Sequence, residues 1–524
     1  MQAGSTTVSR RLTSPLLTDR YLLTMCFSWF HAGKIDKTAT YEFFFRKNPF
    51  KADFTVLCGI NETIHWLKNA KFTQEEIDYV VADLGLKQDD PFIDWLSKVD
   101  FSKLKIRAIE EGTVVFPYLT LISLEGPLGV AQLTETMILN KLNYPSLIAT
   151  NARLLMACIH PAKMFEFGLR RSQGPDGGTT GAVYAYIGGA SATSNVLAGM
   201  EYGVPIIGTM AHSYVTSFSS MKDLEQSNRP EDQKKFIQEC AAVKQELDVH
   251  GANESELAAF ISFALDFPDN FVALIDTYDT IKSGAVNYCI VAIAMERRGL
   301  KPKGVRLDSG DLAQLSIDVK AIARKLGEQS KTSIGEAIKV VASDDLNIEK
   351  IKGMKGNHEI DIFAVGTKLI TCYEQAALGM VCKLCYLDPI PRLKVSETLE
   401  KSTLPGAKSV FRLTLESGES CDIITKSDEE LVPGEVRAYL HQNYKDSDLQ
   451  ILKVLQIDSL LNDYEKASDK YVFDIKSMKD QANKKAALFP ELMKGESHKR
   501  KVFISKGLKD LLFELKANIQ SLSA

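Results

Sequence analysis

Gly304-Val305-Arg306-Leu307-Asp308-Ser309-Gly310-Asp311 is a short apolar run that ends in acidic and small residues, with one arginine inside it. The same form recurs along the middle of the chain. Val183-Tyr184-Ala185-Tyr186-Ile187 runs into Gly188-Gly189-Ala190-Ser191, and Val204-Pro205-Ile206-Ile207 runs into Gly208-Thr209-Met210-Ala211-His212-Ser213. Lys339-Val340-Val341-Ala342 runs into Ser343-Asp344-Asp345, and residues 360–365 run into Gly366-Thr367-Lys368. Each run reads as a strand, and helical patterns follow. Strands alternating with helices predict a parallel sheet. Polar clusters at the ends of several strands predict an α/β barrel, whose βα loops gather on one face. The gap between His212 and Val305 holds extra helical segments, including residues 231–247, so the expected barrel is irregular.

Outside this middle the pattern changes. In residues 1–148, 19–30, 72–84 and 91–99 read as helices, and 41–46 (YEFFFR), 113–116 and 119–124 as strands. After about residue 390, stretches 392–397, 410–415 and 420–425 read as antiparallel strands with turn signals such as Pro405-Gly406 and Ser417-Gly418. The last ~50 residues are Lys-rich and helical. The expected division is 1–148, 149–389 and 390–524.

Composition narrows the class. The chain has 524 residues, 45% hydrophobic and 25% charged, an ordinary globular mix. Lys and Arg number 63 against 67 Asp and Glu, a formal charge of −4, which argues against nucleic acid as the main partner. No stretch reaches the ~18 apolar residues of a membrane span. The longest apolar run, residues 285–295, reads as a buried helix, and residues 1–17 lack the apolar core of a secretory signal. Nine scattered cysteines read as reduced thiols of a cytosolic protein. The pair Cys382 and Cys385 has no second pair to complete a zinc site and reads as strand core.

The strand ends carry the chemistry. Arg306 lies inside an apolar strand, where a charge must be paired or must serve a ligand. Asp308 and Asp311 suit a water-bridged Mg²⁺ or sugar hydroxyls, and equally the first turn of a helix. Gly366-Thr367 opens a helix directly after a strand, a form that serves both as a phosphate site and as a plain tight turn with an N-cap. Ser343 and its two aspartates read first as an N-cap. Arg170 and Arg171, beside a Gly-rich loop, suit an anion. His212, between Thr209 and the following helix, is a candidate acid, base or nucleophile. Together these residues point to a barrel enzyme acting on a phosphorylated, anionic small molecule with a divalent metal.

Several segments resemble the nicotinate phosphoribosyltransferase family. They are Thr18-Asp19-Arg20-Tyr21, Gly126-Pro127-Leu128, Gln132-Leu133-Thr134-Glu135-Thr136, Glu166-Phe167-Gly168-Leu169-Arg170-Arg171 and residues 208–213. Residues 304–311, Val365-Gly366-Thr367 and Thr403-Leu404-Pro405-Gly406-Ala407-Lys408 complete the set, in the family's order. The length is similar to that of the longer, animal-like members. The resemblance implies an irregular α/β (TIM-like) barrel with a second α+β domain built from both chain ends. It implies the ATP-coupled conversion of nicotinate and phosphoribosyl pyrophosphate to nicotinate mononucleotide and pyrophosphate, with Mg²⁺ or Mn²⁺, in the cytosol. By the same resemblance Tyr21, Phe167, Arg170, Thr209 and Arg306 would meet nicotinate, and Gly366, Thr367 and Ser343 the ribose 5-phosphate. Asp308 would serve the metal or the ribosyl charge, and His212 would be phosphorylated by ATP. Family members are usually homodimers in which the segment bearing Tyr21 completes the neighbour's site.

Nicotinamide is a weaker candidate substrate, because residues 188–195 (GGASATSN) hold no carboxylate to accept from an amide, whereas Arg306 offers a cation to a carboxylate. Quinolinate enzymes are shorter and carry more cationic pockets. A non-catalytic phosphoribosyl-binding protein would not need the intact set of Tyr21, His212, Arg306, Asp308 and Thr367.

Overall fold

A computed structural model describes residues 13–354, 356–395, 403–441, 448–464, 474–493 and 500–523. The chain divides into two compact units, one of residues 1–151 with 373–524 and one of residues 152–372. The second division falls ahead of the 389/390 boundary read from the sequence. The cause is the strand Val381–Leu387, which pairs antiparallel with Thr38–Phe44 in the first unit.

The unit of residues 152–372 is built on six parallel strands. Their order is Ala192–Thr193, Lys163–Glu166, Ile362–Val365, Lys339–Ala342, Gly304–Leu307 and Val272–Leu274. The sheet is open, a curled half-barrel rather than a closed ring. Strands buried on both faces read as continuous apolar runs, and Val305, Leu307, Val340, Ala342, Phe363 and Val365 are fully buried here. Helices fill the connections. Helix Ala285–Arg297 is buried from Ala285 to Met295 except at Val286, as its apolar run led us to expect.

Two expected strands take other forms. Residues 183–187 are the last turns of helix Gly174–Ile187, in which residues 181–187 are all buried. A short apolar run buried all round does not distinguish strand from helix by periodicity. Pro175 at its first turn and the small residues Gly177 and Gly178 let the helix start there. Residues 204–207 make only a bridge between Thr193 and Ile206. Pro205 has no N–H to give the sheet, although its carbonyl accepts from Thr193 N at 2.9 Å.

The other unit holds a six-stranded antiparallel sheet, with strands Ile390–Pro391, Val381–Leu387, Thr38–Phe44, Ile122–Pro127, Lys105–Ile109 and Leu461–Asp463 in that order. Helices Arg20–His31, Gln74–Leu84 and Pro91–Ser97 match the sequence reading to within a few residues. Cys382 and Cys385 are both buried in strand Val381–Leu387, and burial holds the Cys382 thiol well above its usual range. Among the described residues no group of three His, Cys, Asp or Glu side chains is placed to hold a metal.

The same unit also contains a closed five-stranded barrel of Lys408–Leu415, Ser420–Lys426, Val502–Ser505, Gly434–Leu440 and Leu449–Ser459. Its interior is apolar, with Leu413, Ile423, Ala438 and Phe503 almost fully buried. Of the expected strand 392–397, residues 392–395 are not in a strand, and Ser396 and Glu397 lie outside the described residues. So do residues 1–12, the larger part of the N-terminal stretch read as lacking a signal core. Among the described residues, no helix is long and apolar enough to cross a membrane.

Candidate active site

The loops that leave the C-terminal ends of the parallel strands gather the polar side chains. In strand Gly304–Leu307, Val305 and Leu307 are fully buried while Arg306 between them points to the opposite face, with 15% of its side chain exposed. Its Nε donates to Ser343 Oγ at 3.0 Å, and its Nη2 lies 3.1 Å from Asp308 Oδ1. The guanidinium carbon sits 5.6 Å from the centre of the Phe167 ring. Nη1 has no hydrogen-bond partner among the described residues.

Ser343 ends the neighbouring strand and joins the two loops. Its hydroxyl donates to Asp308 Oδ1 at 2.5 Å and lies 3.1 Å from the Leu307 carbonyl. His212 opens the short helix His212–Thr216. Its Nδ1 meets Thr277 Oγ1 at 3.1 Å, and its Nε2 lies 3.9 Å from Asp308 Oδ2. Arg306, Asp308, Ser343, His212 and Phe167, drawn from four loops, thus form one connected group.

Sequence reasoning missed two members of this group. Strand Val272–Leu274 runs into Asp276-Thr277, and this turn braces both of the other loops. Asp276 Oδ2 accepts the Asp308 N–H at 2.9 Å and the Ser309 hydroxyl at 2.5 Å, while Thr277 braces His212. The signal was present in the same form as elsewhere, an apolar run 271–275 ending in Asp276-Thr277-Tyr278-Asp279. Close by, Glu256 is fully buried and accepts from Ser283 Oγ at 2.6 Å and Asn287 Nδ2 at 3.0 Å. Burial, with the Asp276 and Asp279 charges adding, pushes its carboxyl up to about 7.

Glu166 was also missed. It ends strand Lys163–Glu166, is 1% exposed, and accepts from Thr193 Oγ1 at 2.6 Å and from the Gly168 N–H. Burial raises its carboxyl above the usual range. It fixes the turn that carries Phe167, whose N–H donates to the Val365 carbonyl at 2.9 Å.

The remaining candidates are less enclosed. Arg170 is exposed on the turn Leu169–Arg171, and Thr209 is half-buried on the loop before His212. Gly366 precedes helix Thr367–Thr371 with φ −106° and ψ −98°, and a Cβ there would stand 3.2 Å from the Phe167 carbonyl oxygen. Tyr21 belongs to the other unit, on helix Arg20–His31, and is 47% exposed.

The donor set limits how a metal could be held. Asp308 Oδ1 is already shared by Arg306 and Ser343, and Asp276 Oδ2 by Asp308 and Ser309. Asp276 Oδ1 is buried without a partner. This arrangement suits a cation whose ligands come mainly from phosphate and water, as Mg²⁺ prefers, and does not form an all-protein cage.

The chain is similar to known proteins over most of its length. Residues 16–143 match the model of the nicotinate phosphoribosyltransferase (NAPRTase) N-terminal domain, and residues 162–390 that of the nicotinate phosphoribosyltransferase (NAPRTase) family. The nicotinate phosphoribosyltransferase of Caenorhabditis elegans is 41% identical over 434 residues, 80% of this chain and 77% of the relative. That of Homo sapiens is 36% identical over 454 residues, 83% of each. The crystal structure of human nicotinic acid phosphoribosyltransferase superposes with a TM-score of 0.81 at 30% identity, covering 95% of this chain and 99% of that one.

Proposed function

The chain belongs to the nicotinate phosphoribosyltransferase family, and from that premise we propose how its residues carry the reaction. The enzyme transfers a phosphoribosyl group from phosphoribosyl pyrophosphate to nicotinate, in the salvage of nicotinate to NAD. The pyridine nitrogen replaces pyrophosphate at ribose C1, so positive charge develops on the sugar as the leaving group departs.

Arg306 is the anchor for the nicotinate carboxylate. Its Nε and Nη2 are fixed by Ser343 and Asp308, which orients the guanidinium and leaves Nη1 to pair with an anion. The Phe167 ring provides an apolar wall against the pyridine, and Thr209 and Arg170 complete the pocket. Asp308 faces the developing ribosyl charge, where a fixed carboxylate stabilises an oxocarbenium-like state. The Gly366-Thr367 turn and Ser343 meet the 5-phosphate through backbone N–H and hydroxyl donors.

A divalent metal, Mg²⁺ or Mn²⁺, would supply charge neutralisation for the leaving pyrophosphate. Asp308 is the carboxylate that would face it, through water. His212, braced by Thr277, accepts a phosphoryl group from ATP, and the added charge changes how the neighbouring loops hold the pyrophosphate. Tyr21 completes the nicotinate pocket from a neighbouring subunit of a homodimer. Residues 149–389 supply the remaining site residues, and the chain ends supply the second domain. The reduced, mostly buried cysteines fit a cytosolic setting.

The observation that carries this reading is the fixed Arg306 guanidinium beside Asp308, with one nitrogen free. Pyrophosphate release with nicotinate, nicotinamide or quinolinate as the sole acceptor tests it. Release with nicotinate alone is expected. Equal release with nicotinamide would overturn Arg306 as the carboxylate anchor.

A further inference from the structure

Strand Lys163–Glu166 ends on a carboxylate fixed between two separate segments of the chain. Glu166 Oε1 accepts the Gly168 N–H, and its Oε2 accepts the Thr193 hydroxyl at 2.6 Å. The Glu166 carbonyl takes the Ser194 N–H at 3.0 Å. A Cβ at Gly168 would stand 2.9 Å from Oε1 and 2.5 Å from the Ile370 Cβ, so glycine there lets the carboxylate close on that N–H.

Each of the two donors leads to a part of the nicotinate pocket. On one side, Gly168 follows Phe167 directly, and its carbonyl accepts from Arg171 N at 2.7 Å, which closes the turn bearing Arg170. On the other side, Thr193 holds two loops. Its hydroxyl accepts from Asn195 N at 3.0 Å, and Asn195 caps helix Val196–Tyr202 by accepting from Ala198 N at 3.2 Å. Its backbone donates to the Pro205 carbonyl and accepts from the Ile207 N–H, both at 2.9 Å, just ahead of Thr209. Phe167, Arg170 and Thr209 are thus tied to one carboxylate that is 1% exposed. A carboxylate is costly to bury unless it is hydrogen-bonded, and here each oxygen has its donor.

We propose that Glu166 is a positioning residue for nicotinate: it sets the spacing between the Phe167–Arg170 turn and the Thr209 loop, and so the room left for a flat pyridine ring. This rests on the placement of those three residues at the nicotinate pocket. Glu166 acts through them and touches no substrate. Its carboxylate bonds to Gly168 and Thr193 leave out Ser343 and the Gly366-Thr367 turn, so the effect falls on nicotinate rather than on the 5-phosphate.

Steady-state kinetics on the full-length enzyme, with both substrates varied, test the idea on Glu166→Ala, Glu166→Gln and Thr193→Val. Glu166→Ala strands both donors and should raise KM for nicotinate about tenfold, with KM for phosphoribosyl pyrophosphate within about twofold of wild type. Glu166→Gln can accept the Gly168 N–H with its carbonyl and donate to the Thr193 hydroxyl with its amide, so it should recover most of the loss. Thr193→Val frees only the Thr209 arm and should give a smaller rise. In a Phe167→Ala background, Glu166→Ala should raise KM less than it does in the wild type, because part of what it acts through is gone. An undiminished effect in that background would overturn the proposal, as would equal rises in KM for both substrates. So would a fall in thermal midpoint with KM for nicotinate unmoved, the outcome of a purely structural carboxylate. Should Glu166→Ala fail to fold, Thr193→Val decides by the same comparison of the two KM values. Phe167→Ala and Thr209→Ala variants that both keep the wild-type KM for nicotinate would instead remove these residues from the pocket, and the proposal with them.

Discussion

Asp276 Oδ2 accepts the backbone N–H of Asp308 at 2.9 Å, so the residue after one strand sets the position of the carboxylate after the next. The same oxygen takes the Ser309 hydroxyl. Asp276→Ala should therefore release the Asp308 turn without touching the Arg306 guanidinium. The expected result is a fall in kcat of roughly tenfold to a hundredfold, one or two lost hydrogen bonds to a charged group, with KM for nicotinate little changed. A variant whose KM rises while kcat holds would show that Asp276 serves nicotinate binding instead.

Arg306, as the proposed carboxylate anchor, should govern the choice of acceptor. Nicotinate should be preferred over nicotinamide by at least ~10²-fold, since a neutral amide facing the guanidinium forfeits a charge-assisted pair worth about 3 kcal/mol. Arg306→Ala should raise KM for nicotinate by a similar factor and narrow the preference. Arg306→Lys should not restore it fully, because an ammonium cannot bridge Ser343 and Asp308 while presenting a planar fork. Competition kinetics with both acceptors measure each ratio.

A shared site makes a quantitative demand on mixed dimers. If Tyr21 comes from the neighbouring subunit, refolding Tyr21→Ala with Arg306→Ala chains in equal amounts gives hybrids with one intact and one doubly defective site. Random pairing should recover roughly one quarter of wild-type activity. A mixture no more active than its parents, together with a monomer by light scattering, rules out sharing.

Burial of Glu256 makes stability depend on pH. Its carboxyl is pushed up to about 7 in the folded chain, against 4.5 when exposed, so the folded state holds the proton more tightly. The resulting stability is complete below about 4.5 and is lost as pH rises through about 7. Glu256→Gln removes this ionisation and should flatten the profile, with wild type losing ~2–3 kcal/mol relative to the variant between pH 5 and pH 8. Glu111, also buried and pushed up to about 7, acts in the same direction and is common to both proteins. Thermal midpoints across that range make the comparison, and parallel curves would refute it.

What the sequence disclosed follows from range. Arg306 was legible as a charge inside an apolar run, and Asp308, Ser343 and His212 because each sits within a few residues of the end of one. Asp276 and Thr277 end a strand of only three residues, Val272–Leu274, set among long helices, and their roles appear only when three loops converge. Residues 183–187 were misread because burial on all sides erases the period that separates strand from helix. The strands Lys408–Leu415 and Ser420–Lys426 were legible, but the barrel they enter is closed by Val502–Ser505, parallel to one neighbour and antiparallel to the other. Pairing at that separation leaves no local mark.

His212 offers the sharpest division between a chemical and a structural role. Thr277 occupies its Nδ1, and its Nε2 faces Asp308 from 3.9 Å, so Nε2 is the nitrogen free to attack. In the proposed role, attack on the γ-phosphorus of ATP would form an N–P bond and expel ADP, and water would later cleave that bond to give phosphate. Transfer of the ribosyl group to nicotinate requires no histidine nucleophile. His212→Ala should therefore abolish ATP hydrolysis and ATP stimulation while a slow, ATP-independent synthesis of nicotinate mononucleotide persists. Thr277→Val, which keeps the imidazole but frees its ring, should weaken the coupling without erasing it. A merely structural imidazole makes the opposite demand, a fall in stability with coupling intact in whatever enzyme remains folded. Label from γ-labelled ATP, acid-labile and present on the wild type alone, distinguishes the two. A His212→Ala enzyme that still hydrolyses ATP in step with turnover would remove the histidine from the mechanism.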